Sequence, residues 1–143
     1  MNLEQQVCSL DLAKRLKELG VKQESYFQWK EIIDNHEHAE PWVFHAEIEV
    51  KDTKGHYKDK NDKWEERVYS AFTVAELGEM LPCKVDEYQW RGNKTAKDNA
   101  FEVKYRRRKA NRTEMLRIER SDTEADARAK MLIYLIENKL LTP

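Results

Sequence analysis

The sequence predicts one α+β domain in the order αββαβββα, an antiparallel sheet with helices packed on it. Three observations lead there. Amphipathic helical stripes begin near Ser9 and after Thr123, alternation of apolar and polar residues recurs between them, and turn residues divide the second half into three short strands. At 143 residues the chain is long enough for one core and too short for two substantial ones.

The first helix follows from Leu12, Leu16 and Leu19, at four- and three-residue spacing with Ala13 beside them, while Lys14, Arg15, Lys17 and Glu18 take the other side. Ser9 is placed to cap its start, and Gly20 to end it in the left-handed conformation. The aromatic stretch Tyr26-Phe27-Gln28-Trp29-Lys30 suits a strand better than a second helix, although the order counts only the two strands after it. In residues 41–51, Trp42, Phe44, Ala46, Ile48 and Val50 alternate with Val43, His45, Glu47, Glu49 and Lys51, which predicts a core face and a wet face. Residues 51–64, rich in Lys and Asp around Gly55, read as a long polar hairpin loop, with the partner strand at about residues 65–72.

Thr73-Val74-Ala75-Glu76 is a capping box that opens a short helix ending at Leu81, before Pro82. Strands are expected at residues 84–91, 100–107 and 113–120, with turns at Arg91-Gly92-Asn93 and Ala110-Asn111. The last helix follows Thr123, with Glu124 and Asp126 in its first turn and a stripe of Ala125, Ala129, Leu132, Ile136 and Leu140 flanked by Met131 and Leu135.

Composition excludes several function classes. No apolar run approaches the roughly 18 residues of a membrane span, and the N-terminus lacks a signal-peptide pattern, so a cytoplasmic protein without a membrane partner is expected. Two cysteines make no disulfide scaffold, and four glycines cannot supply a Gly-rich phosphate loop. His36, His38 and His45, with Glu37 and Glu40, come nearest to a metal set, but their spacing fixes no fourth ligand; no metal or other cofactor is expected. Cys83 lies in no nucleophile motif and no serine sits in a Gly-x-Ser-x-Gly elbow, so no catalytic residue is assigned.

Charge placement says more than charge total. The chain carries 26 basic and 27 acidic residues for a net −1, yet residues 85–120 hold 11 basic against 6 acidic ones. Lys104, Arg106, Arg107, Arg108, Lys109 and Arg112 put six positive charges into nine residues, with Trp90 and Arg91 on the neighbouring strand. Such a ridge suits phosphates, with the aromatics stacking bases. The competing reading is a solvated sheet face neutralised by Glu102, Glu114 and Glu119.

Two broad patterns fail at their functional positions. Residues 73–141 resemble a double-stranded RNA-binding domain in element order, but Asp122, Glu124 and Asp126 stand where that family places its basic cluster. Residues 12–29 resemble a helix-turn-helix, but Tyr26, Phe27 and Trp29 leave only Gln23, Gln28 and Lys30 to read bases. A closer match lies in residues 7–29 (VCSLDLAKRLKELGVKQESYFQW), 69–82 (YSAFTVAELGEMLP) and 122–140 (DTEADARAKMLIYLIENKL), together 56 of the 143. These resemble segments of small uncharacterised proteins of bacteriophages, prophages and related mobile elements. The resemblance implies an accessory protein in a bacterial cytoplasm and brings no site residues with it. The leading expectation is therefore a non-enzymatic interaction module, with a protein partner or self-association. The alternative is a nucleic-acid binder using residues 104–112.

Overall fold

The computed structural model describes residues 2–34, 42–50 and 64–143. A 3-10 turn at Leu3–Gln5 precedes helix α1 (Leu10–Glu18) and strands β1 (Phe27–Asp34), β2 (Trp42–Val50) and β3 (Trp64–Ser70). Helix α2 (Val74–Met80) leads into β4 (Lys84–Val85), β5 (Tyr88–Lys94), β6 (Phe101–Lys109) and β7 (Arg112–Ser121), and helix α3 (Glu124–Glu137) follows. The architecture is α+β and its order is close to αββαβββα. The strands form two antiparallel sheets, β2-β1-β3 and β4-β5-β6-β7.

Differences from the expected order have local causes. Three strands precede α2, because the aromatic segment continues through Ile32 and Ile33 and takes the centre of its sheet, so β2 and β3, expected to pair as a hairpin, flank it instead, and the segment 51–63 between them lies outside the described residues. Residues 84–91 are divided by a tight turn: Asp86 takes a left-handed φ of 51° and Val85 pairs back with Tyr88. Arg91, Gly92 and Asn93 are no turn but lie within β5, opposite Lys104, Val103 and Glu102. The chain reverses after them, where the Thr95 N–H donates to the Ala100 carbonyl (2.8 Å), Thr95 Oγ1 donates to Asp98 Oδ1, and Asn99 has φ 57°.

The caps divide similarly. Gly20 takes φ 87°, as its place after α1 requires. Ser9 occupies the N-cap, yet its hydroxyl makes no cap bond; its N–H donates instead to Asp126 Oδ1 at 2.7 Å, joining the starts of α1 and α3. Thr73 and Glu76 form the full capping box, with bonds of 3.2 Å and 2.7 Å.

Helix α3 is the packing hub. It lies on β6 and β7 and also meets α1 and α2. Ala125, Ala127, Ala129, Met131, Leu132, Ile133 and Leu135 are therefore all buried, a wider set than the stripe read from periodicity, which reports one contact face. Ile136 packs only partly, and Leu140 lies past the helix, 36% exposed. Cys8, Ala13, Leu16, Phe72, Leu77, Val103 and Tyr105 join α3 in one buried cluster. The described part of the apolar face of β2 is not core, contrary to expectation: Ala46 is exposed, Ile48 half-buried and Val50 72% exposed, while the side chains of Trp42 and Phe44 lie outside the described residues. Among the described residues β2 is an edge, whereas α1 packs on β3, so burial falls on Glu31 and Ile33 of the central β1. Glu31 keeps a partner there in Lys14, at 2.5 Å.

Candidate functional site

Strand alternation gives the second sheet two different faces. On the helix-covered face, Tyr105 and Val103 are buried under α3, and Trp90 and Gly92 stand opposite them on β5. Tyr88 and Phe101 pack against the same core. The other face bears Gln89, Arg91 and Asn93 of β5 and Glu102, Lys104, Arg106 and Arg108 of β6. Trp90 is thus turned away from the ridge it was expected to serve: its ring lies against the Arg128 guanidinium of α3, 5.2 Å from the centroid.

A bulge brings β7 into register with this open face. Tyr105 pairs with Arg117 but Arg106 pairs with Met115, so Leu116 is the extra residue. Leu116 packs toward the core, and Arg117 stacks on Tyr134 of α3 at 4.8 Å while bonding Glu119 at 2.8 Å. Beyond the bulge, Thr113 stands opposite Arg108.

The six expected ridge cations divide evenly. Lys104 pairs with Glu102 at 2.8 Å, and Arg120 holds the other oxygen of that carboxylate at 2.7 Å. Arg107 pairs with Glu114 at 2.6 Å and Glu87 at 2.8 Å and stacks on Tyr88, while Arg112 takes the second oxygen of Glu114 at 3.1 Å. The hydrogen bond from Arg107 holds the Glu114 carboxyl below its ordinary range, and the same bond raises Arg107. Arg106, Arg108 and Lys109 have no ion-pair partner among the described residues. Glu119 does not reach the ridge.

Arg106 and Arg108 converge with Arg91 on a groove of about 460 Å³, completed by Gln89, Thr113 and the flank of Arg107. Among the described residues no carboxylate lines it. Arg91 is steadied by bonds to the Trp90 carbonyl (2.9 Å) and Gln89 Oε1 (3.1 Å), which leave its charge uncompensated. Sequence reasoning missed Gln89 and Thr113 and placed Trp90 on the wrong face. Alternation along β5 was the available signal, since it sets Trp90 against Gln89 and Arg91.

The remaining candidates are not brought together. His36 and His38 lie outside the described residues, as does the side chain of His45, whose backbone pairs with Ile32. No cluster of three His, Cys, Asp or Glu suited to a metal occurs among the described residues. Cys83 is exposed; Cys8 is buried, and burial pushes its thiol up to about 12. No described helix is long and apolar enough to cross a membrane. No protein-family model, curated protein or solved structure matches this chain.

Proposed function

We propose that the protein is a non-enzymatic, cytoplasmic accessory protein of mobile-element type, and that it binds nucleic acid on the open face of its second sheet. One observation carries the binding reading: among the described residues, three arginines without an ion pair, Arg91, Arg106 and Arg108, line a groove with no carboxylate in its lining. Lys104, Arg107 and Arg112 spend their charge on Glu102, Glu114 and Glu87, and serve as scaffold rather than contact. The three segments resembling phage proteins contain α1, α2 and α3, which meet in the core. That resemblance therefore bears on the scaffold and leaves the groove to be argued from its own chemistry.

Salt titration tests the reading. Neutralising three phosphates gives a log–log slope of about −2.7 on duplex DNA, and removing two arginines lowers its magnitude by about 1.8. Fluorescence anisotropy with mixed-sequence oligonucleotides should show this loss for Arg106→Ser/Arg108→Ser. The scaffold variant Arg112→Ser should keep the wild-type slope. Absence of binding at low salt, or equal binding by wild type and the double variant, refutes the proposal.

A protein partner is the second reading. Met115 and Ile118, 43% and 39% exposed on β7, give this face apolar surface beside its charge. Co-purification in which the partner survives nuclease treatment and is lost in Ile118→Lys would favour it.

A further inference from the structure

Resting on the nucleic-acid reading, we infer that the groove takes a run of linked phosphates through their oxyanions alone, and reads neither a single phosphate nor the bases. The arginine spacing is the first support. Arg106 and Arg108 are alternate residues of β6, with α-carbons about 6.8 Å apart. Arg91 lies on β5 one diagonal step from Arg106, a separation of roughly 7–8 Å. Each guanidinium is a planar fork matched to one phosphate. Three forks on separate footings suit successive groups of a chain better than one isolated ion.

The aromatic residues supply the second support. Base recognition on single strands relies on rings that stack bases. Tyr88, Trp90, Phe101 and Tyr105 all pack against the core under α3, on the opposite face of the sheet. The described side chains beside the arginines include Gln89, Asn93, Lys104, Thr113, Met115 and Ile118, none of them aromatic. Gln89 has already committed its amide oxygen to Arg91. What remains is a surface that senses charge density along a backbone.

Competition against a labelled mixed-sequence oligonucleotide tests the inference. The competitors are long-chain inorganic polyphosphate, an abasic oligomer of equal length, and inorganic monophosphate at equal ionic strength. Polyphosphate and the abasic oligomer should displace the probe at the same phosphate concentration as unlabelled oligonucleotide, within about threefold, and monophosphate should fail at about a hundredfold excess. A preference of about tenfold or more for base-bearing strands, or a dependence on base composition, overturns the inference and leaves nucleic-acid binding standing. Displacement by monophosphate at the polymer's phosphate concentration also overturns it. A probe that never binds refutes the underlying functional reading as well.

Discussion

The indole of Trp90 occupies the space a side chain at Gly92 would need. A β-carbon built on Gly92 would stand 2.8 Å from Cη2 and 2.9 Å from Cζ2 of that ring. The ring cannot retreat freely, because Arg128 stacks on it and is itself tied to Glu124 at 2.6 Å. Alanine normally gains roughly 0.5–1 kcal/mol over glycine inside a strand. Here Gly92→Ala should instead destabilise the protein by about 1–3 kcal/mol, the range for overpacking. Urea unfolding measures it, and the cost should shrink in a Trp90→Leu background.

Ala110 offers the opposite case. It turns the β6–β7 hairpin at φ 54°, where a β-carbon is strained. Ala110→Gly should stabilise the protein by about 0.5–1 kcal/mol, the relief of strain exceeding glycine's added chain entropy. A thermal melt that falls rather than rises contradicts this.

Glu102 gives the fold a defined acid response. Its hydrogen bond from Lys104, and secondarily that from Arg120, holds its carboxyl below the ordinary 4.5. A depressed carboxyl contributes stability above its unfolded value and loses it as pH falls through the folded one. Glu102→Gln should cost roughly 1.5–3 kcal/mol at neutral pH. The stabilities of variant and wild type should begin to converge as pH falls below 4.5 and meet once it has passed through the depressed folded value, as measured by denaturant melts across pH.

Asp126 ties two helix starts together through the Ser9 N–H. Asp126→Ala should cost about 1.5–3 kcal/mol, as expected for a lost charged hydrogen bond, with Asp126→Asn recovering part of it through the remaining oxygen. Equal stability of the alanine and wild-type proteins in urea would show the tie to be idle.

The thiols should separate cleanly. Cys83 is exposed, whereas Cys8 is buried and its thiol is pushed up to about 12. A thiol reagent at pH 8 should label Cys83 in the native protein and reach Cys8 only on unfolding, read by intact mass.

Legibility in the sequence depended on how local each cause was. The Thr73–Glu76 box, the Gly20 terminus and the Ala110-Asn111 turn each rest on a few adjacent residues, and all three stand in the structure. Gly92 misled because it serves a close approach and not a turn: it lies in the β5–β6 ladder and leaves room for a tryptophan ring that stacks on Arg128 of a distant helix. Val50 misled for a different reason. Alternation identifies two faces of a strand but does not say whether a layer covers either, and here α1 packs on β3. The ridge cations were legible as a group. Their division was not, since it depends on Glu87 of the β4–β5 turn and Glu114 of β7 meeting one guanidinium of β6.

The packing of α1 against α3 also sets a timetable for synthesis. Ser9 must find Asp126, and Arg15 must find Glu137 at 2.7 Å, contacts 117 and 122 residues apart in the chain. While the ribosome is still making the strands, α1 has made its apolar stripe but not the helix that covers it. Contacts of such long range slow folding and leave apolar surface open in the interim. The nascent chain therefore depends on its charged residues, and on any chaperone it meets, to stay unaggregated until residues 124–137 emerge and close the core.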